Sequence, residues 1–270
     1  MKAWSLIRKE PAYRHEAFLS GLKAAGFQVN DCTPTFPVKR GDVLVIWNRY
    51  YEIERIADRF EADGGTVLVA ENGYVKGRHD GGDYYALAVH GHNGSGSWYV
   101  GGPQRWEALG IELKPWRYDG KYILVAPNRP FGMRGFAMPD RWGEHALEET
   151  RRQTKLPVQL RRHPGNKAPA VPIEADLRDA RMVVIWSSSV GVKALIEGIP
   201  VLCSAPWWIC KGAAHTSFYN AMANMDMDER RLNAMRALAW AQWTVGEIAS
   251  GEPFDYLLRS TEQAEISARA

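Results

Sequence analysis

The chain predicts an α/β protein made of two doubly wound halves. Three observations carry that expectation. Short β-branched apolar runs alternate with stretches of helical periodicity. Several of these runs stop in polar or turn residues, as buried parallel strands do at the ligand-facing edge of a sheet. A run in the first half, VLVIWN at 43–48, is echoed by MVVIWS at 182–187 in the second.

Residues 3–7 read as a first strand, and the turn 8–11 leads into a helix over 13–25 with Phe18, Leu19 and Leu22 inward and Gly26 as its stop. Pro34 and Pro37 break the stretch 30–40 into loop. Strand 43–47, helix 52–60, the Gly64-Gly65 stop and strand 66–70 complete a βαβαβ series. The next region, 76–102, is rich in Gly, His and Tyr; it predicts one strand at 84–89 and a mobile glycine loop at 91–96. A short helix over 103–110 and a boundary at 115–120 follow. Strand 122–126, helix 142–153 and strands 158–160, 182–186 and 200–203 build the second half, with a helix over 190–197 ended by Gly198. A long apolar pattern over 229–248 closes the chain. The domains are thus 1–115, 116–250 and a tail, 251–270, that returns to the first domain.

Composition narrows the function classes. The 270 residues can bury a substantial core, and 46% apolar with 24% charged residues is ordinary for a globular protein. No apolar run approaches a membrane span, and no signal-peptide core is present. Three cysteines, Cys32, Cys203 and Cys210, without C-x-x-C spacing argue for a reducing compartment, hence the cytoplasm, or the host cytoplasm for a phage-encoded chain. A net charge of +3 permits a polyanionic partner without requiring one.

The most informative stretch is 161–208. Arg161-Arg162-His163-Pro164-Gly165 follows a strand; Ser187-Ser188-Ser189 closes another and opens a helix. One serine can cap that helix, and the amides of its first turn then face outward as an anion site. Ligands of open α/β sheets bind outside the carboxyl ends of the strands. His163, the arginines and the serine turn therefore converge on a phosphate, whereas the serines alone would be only a satisfied cap.

RRHPG followed by SSSVGVKALIEGIPVLCSAPW resembles the nucleotide-binding half of GT-B glycosyltransferases, and most of all the capsule-polysaccharide Kdo-transferase and sialyltransferase-like group. The resemblance covers roughly 50 residues well. It implies a GT-B-like fold, two Rossmann-like halves facing a central cleft, and a nucleotide-activated sugar as co-substrate with no further cofactor and no metal. It implies donor binding by His163 and Ser187, Ser188 and Ser189. The group's acidic residue before Ala-Leu, which usually grips the donor ribose, is Lys193 here.

A transferase of this kind also needs a base for the acceptor hydroxyl. Glu71 directly follows a strand and is the candidate; His92, in the Gly-Asn loop, and His15, opening the first helix, are lesser ones. The acidic-x-Gly-Tyr stretch at 71–74 followed by His90-Gly91-His92-Asn93-Gly94 adds to the resemblance. Asn128 and Arg129, after strand 122–126, join Arg161 and Lys193 on the donor side. Asn48, Arg49, Asn72 and Asn93 form an acceptor-side set. The acceptor expected from the mildly basic, Arg- and Trp-rich composition is a hydroxymethyl pyrimidine in duplex DNA, as in phage enzymes that decorate their genomes, with Arg49, Lys76, Arg78 and Arg105 on the backbone. The alternative acceptor is a capsule or other polysaccharide. A rival class is a metal-dependent hydrolase using His79, Asp80, Asp83, His90 and His92, and a third is a nucleotide- or DNA-binding module without turnover. Asp226-Met227-Asp228 resembles a metal-binding D-x-D, but a helix cap explains it more simply.

Overall fold

The computed structural model describes residues 1–130, 132–165, 171–224 and 227–258, with His79 described by its backbone alone. The chain divides into two compact units, 1–101 with 239–270 and 102–238.

In the first unit β1 (Lys2–Leu6), α1 (Ala12–Ala24), β2 (Gln28–Asn30), β3 (Val43–Trp47), α2 (Tyr51–Ala62), β4 (Thr66–Asn72) and β5 (Tyr84–Val89) follow in order. Strands β2, β1, β3 and β4 are parallel neighbours; β5 joins antiparallel to β4. Alternation along β3 explains why the sheet is covered on both faces. Val43 and Val45 enter a core with Phe18, Leu22, Tyr85 and Phe254, while Leu44 and Ile46 enter another with Phe60 and Val67. Each such fully buried side chain contributes about 1.5–3 kcal/mol.

The second unit begins with α3 (Gln104–Leu109) and β6 (Tyr122–Val125). Then come α4 (Trp142–Gln153), β7 (Val158–Leu160), α5 (Ile173–Arg178), β8 (Ala180–Ile185), α6 (Val190–Ile196), β9 (Val201–Cys203), α7 (Phe218–Ala223) and α8 (Asp228–Trp240). Its sheet is all parallel, in the order β7-β6-β8-β9. Ile123, Val125, Met182 and Val184 meet Leu147 and Phe218 on one face.

The units are bounded differently from the sequence expectation of 115/116 and 251. Lys114 N donates to Ile196 O at 2.9 Å and Arg117 N to Gly198 O at 2.8 Å, so this segment lies against the end of α6 within the second unit. Gly198 makes that approach possible: it adopts φ +73°, and a Cβ there would sit 2.0 Å from Pro115 O. The pattern over 229–248 is also three elements, not one helix. After α8 the chain forms β10 (Gln242–Thr244), antiparallel to β5, and then α9 (Val245–Ser250). Gln242 Oε1 accepts from the amides of Tyr74 and Val75, and Thr244 with Glu247 forms a capping box that starts α9. The expected long apolar pattern was correct as burial, since Trp243, Ile248 and Phe254 are fully buried, but two local signals cut it. The part of the expected tail beyond 258, like Asp226 of the D-x-D stretch, lies outside the described residues. Among the described residues no helix is long and apolar enough to cross a membrane.

Candidate functional site

In the second unit the sequence β6, α4, β7 runs to one side of the sheet and β8 to the other, so the switch point of the strand order lies between β6 and β8. The residues that leave these two strands meet there: Ser187 N donates to Asn128 Oδ1 at 3.3 Å. Beside this bridge is a cavity of about 800 Å³. Its walls include Asn128, Arg129, Arg162, His163 and the first turn of α4, with Trp142 and Glu144.

His163 is held by its own turn. Gly165 N donates to Nδ1 at 3.0 Å, which requires that nitrogen to be unprotonated and leaves Nε2–H as the donor of the neutral ring. Arg129 donates to Gly165 O, so the loops after β6 and β7 are tied together at the cavity. Arg162 reaches Glu144 at 2.7 Å; the Glu144 carboxyl is held below its ordinary range by its own backbone amide and by Arg162. The α4 helix starts at Arg141, in the left-handed region at φ 57°, without a side-chain cap. Its amino end thus lines a cavity walled by three arginines, Arg129, Arg141 and Arg162, one histidine and the carboxylates Asp140 and Glu144.

Not all of the donor-side set gathers here. Arg161 pairs with Asp176 and donates to Val171 O at 2.7 Å, which fastens the end of β7 to α5 and takes it out of the cavity wall. Lys193 Nζ bonds Glu174 Oε1 at 2.9 Å, and that bond is the main cause holding the Glu174 carboxyl low. Ser187 and Ser188 are buried; Ser188 Oγ accepts from Val190 N at 3.3 Å, while Ser189 occupies the cap position without a side-chain bond. Trp142 and Glu144 were missed from the sequence. Their signal was the start of α4 immediately beyond the loop that carries Asn128 and Arg129.

In the first unit Glu71 stands near the end of β4, half-buried. Tyr74 OH donates to its Oε1, and Asn93 N donates to Tyr74 OH at 3.0 Å. Glu71 Oε2 has no hydrogen-bond partner among the described residues. His92 lies next to Asn93, and its Nδ1 is buried with no partner among the described residues. The loop 91–96, expected to be mobile, is pinned: Ser97 and Val89 exchange both backbone bonds, and Ser95 Oγ bonds the amide and carbonyl of His92. Its glycines permit the tightness, since Gly91 and Gly96 approach too closely for a side chain. Glu71, Tyr74, Asn93 and His92 therefore form one connected group; Asn72 adjoins Glu71 on β4, opposite Tyr85.

His15, Asn48 and Arg49 lie outside that group of bonds. His15 Nδ1 faces Ile7 O at 3.0 Å and Nε2 faces Asp31 at 3.2 Å, so both ring nitrogens brace the start of α1 and neither offers a base. Asn48 turns the chain at φ 58°. Arg49 is 5% exposed. It donates to both oxygens of Glu61, to Asp58 and to His90 O, all within 2.6–2.9 Å. A guanidinium so committed braces the sheet edge and has little left for an acceptor. The sequence could not show this because Asp58 and Glu61 lie in the last turns of α2, away from Arg49 before its start. Of the rival metal cluster, His90 bonds Glu61 at 2.7 Å, and the His79 side chain lies outside the described residues. Among the described residues no group of three or more His, Cys, Asp or Glu is arranged to hold a metal.

No protein-family model matches this chain, and no curated protein matches it. Solved structures do, among them two glycosyltransferase domains. The β-Kdo 2,7-transferase of KpsC from Thermosulfurimonas dismutans superposes with a TM-score of 0.58 at 15% identity, covering 92% of this chain and 97% of that one. The β-Kdo 2,4-transferase of the same KpsC gives 0.55 at 15% identity, covering 96% and 97%. At this identity the likeness is one of fold: the chain is an α/β protein of the GT-B-like class, with two Rossmann-like sheets.

Proposed function

We propose that this chain is a glycosyltransferase that moves a sugar from a nucleotide-activated donor to a hydroxyl acceptor. The observation that carries the proposal is the cavity between the loops after β6 and β7, where His163 stands beside Arg129, Arg141, Arg162 and the uncapped start of α4. The arginines and the helix start of that wall are the donors a phosphate needs, and they outnumber its two carboxylates, Asp140 and Glu144, of which Glu144 pairs with Arg162. The fold likeness to two Kdo transferases supports the same reading. In it the donor phosphate, on which charge develops as the glycosidic bond breaks, is stabilised by Arg129 and His163 without a metal. Glu71 takes the proton of the acceptor hydroxyl through Oε2, with Tyr74 fixing the carboxylate.

The acceptor we propose is a saccharide. The duplex-DNA alternative leans on four cations of the first unit and the adjoining segment, and Arg49 among them is buried and paired. Calorimetric titration of the full chain with CMP-, UDP-, GDP- and dTDP-sugars tests the donor. One nucleotide should bind with a clear preference; absence of binding to all four would end the transferase reading. In a gel-shift salt titration, duplex binding that weakens steeply with salt would move the acceptor to DNA.

A further inference from the structure

The first unit has its own switch point, between β1 and β3, because β2 lies on one side of β1 and β3 on the other. Arg14, the third residue of α1, lies to one side of it, over Trp47 at the end of β3 and 5.9 Å from the ring centre of Tyr85 on β5. Arg14 is 5% exposed, and its guanidinium lies 4.2 Å over the ring of Trp47, the last residue of β3. One nitrogen donates to Glu10 O at 2.6 Å. Among the described residues its Nε has no hydrogen-bond partner and no carboxylate pairs with it. Burial works against its charge; Tyr85 and Tyr13 offset part of that, and Arg78 and Arg8 oppose the charge further. The contrast with Arg49, buried to the same degree but held by two carboxylates, shows what a purely structural arginine looks like in this unit. A buried cation lacking an anion is costly, and the stack on Trp47 offsets only part of that cost.

Three further features surround it. Tyr13 OH and Tyr85 OH are 3.0 Å apart. Burial, then the bond to Tyr13, pushes the Tyr85 phenol up to about 12, so it stays a neutral hydroxyl at working pH. Tyr13 is 48% exposed, so the cluster opens to solvent. The 13-residue helix α1 starts without a side-chain cap and with no acidic residue in its first turn, leaving its positive end unopposed.

We propose that this cluster is an oxyanion site, with Arg14 as its floor and Arg78, Tyr13 and the start of α1 around it, and that it takes the carboxylate or phosphate of an acidic saccharide acceptor. The acceptor role rests on the glycosyltransferase reading; the anion site itself does not. Thermal-shift titrations of the full chain with glucuronate, glucose 6-phosphate and glucose, at constant ionic strength, test it. At least one of the two acids should stabilise the protein saturably while neutral glucose does not, and the stronger of the two identifies the acceptor's charged group. Arg78→Gln should weaken the apparent affinity roughly tenfold, as loss of a charged hydrogen bond does. Arg14→Lys, which keeps charge but loses the planar fork, should weaken it as well. Equal behaviour of the three sugars, or an unchanged affinity in Arg78→Gln, overturns the site; if Arg14→Lys does not fold, Arg78→Gln decides alone. Nucleotide-sugar titration of the same samples separates the two proposals. Donor binding without acid binding overturns this site only, and acid binding without donor binding upholds the site while removing its acceptor role.

Discussion

The two units repeat one strand order at their centres, second strand, first, third, fourth, yet carry different side chains at the carboxyl ends of those strands. In the second unit Asn128 and Ser187 bridge the strand ends, and the cavity beside them is walled by Arg129, Arg162 and His163. In the first unit Arg14 is stacked on Trp47 of β3, and the half-buried carboxylate of Glu71 stands on the neighbouring strand β4 with Tyr74 and Asn93 behind it. One topology thus supplies a cavity walled by arginines and a histidine in one unit and a carboxylate held by a tyrosine in the other. Strand order says where a ligand goes; the residues one or two places beyond each strand decide which ligand.

The sharpest way to break that contrast is to neutralise the carboxylate. Glu71→Gln should lower turnover by about 10²–10⁴-fold, the range for loss of a general base, with nucleotide affinity unchanged. Full retention of turnover would remove Glu71 as the base and, with it, the division of labour between the units.

Arg49 and Arg161 extend the comparison from ligands to stability, since each ties a sheet edge to a helix through a carboxylate. Burial alone would push the Glu61 carboxyl up, but bonds from His90 and Arg49 outweigh it and hold it below its ordinary value. Glu61 therefore adds stability that is complete above about pH 4.3 and is lost as pH falls through its lower folded value. Arg49→Met should cost about 2–4 kcal/mol at neutral pH, because it strands a half-buried carboxylate, and should shrink the loss on acidification. Denaturant unfolding of both forms at pH 7 and below pH 4 reads both effects.

His163→Ala inverts the expectation for Glu71. It should weaken nucleotide-sugar binding by about 1–3 kcal/mol, as removal of a donor to a charged group does, with a smaller effect on turnover at saturating donor. Calorimetry on the isolated binding step measures it. An unchanged affinity would mean that the His163 ring only closes the Gly165 turn.

The sequence made most of the strands and helices visible because their signals are local: alternation in 43–47, the glycine stops, the helical spacing over 190–197. It also put Asn128, Arg129 and His163 on loops that follow β6 and β7, where the structure has them, since strand ends are local too. What stayed hidden were pairings across sequence distance. Nothing near Arg49 announces Glu61, nothing near Gln242 announces the amides of Tyr74 and Val75, and nothing near Lys114 announces Ile196 O. Those distant bonds moved the domain boundary, cut the last apolar pattern with β10, and paired Arg49 and Arg161 with carboxylates. Arg14 was hidden for the converse reason: an exposed-looking arginine in an early helix gives no hint that folding will bury it without an acid.

The smallest expected effect concerns the position where the chain departs from the resemblance drawn in its sequence. Lys193 lies on α6 and is spoken for by Glu174 on α5. Lys193→Glu would place two carboxylates together, remove the ion pair, and relieve Glu174 of the bond that mainly holds its carboxyl low. Because Glu174 is 65% exposed and the pair faces water, the loss of stability should be below about 1 kcal/mol. Position 193 is absent from the walls of the cavity, so the change in nucleotide affinity should be less than about threefold, RT ln 3 being under 1 kcal/mol. A thermal-shift panel of nucleotides on the variant measures both. A gain of tenfold or more for one nucleotide would mean that the donor extends past the cavity, over the start of α6, and would bring Ser188 and Ser189 back into contact with it.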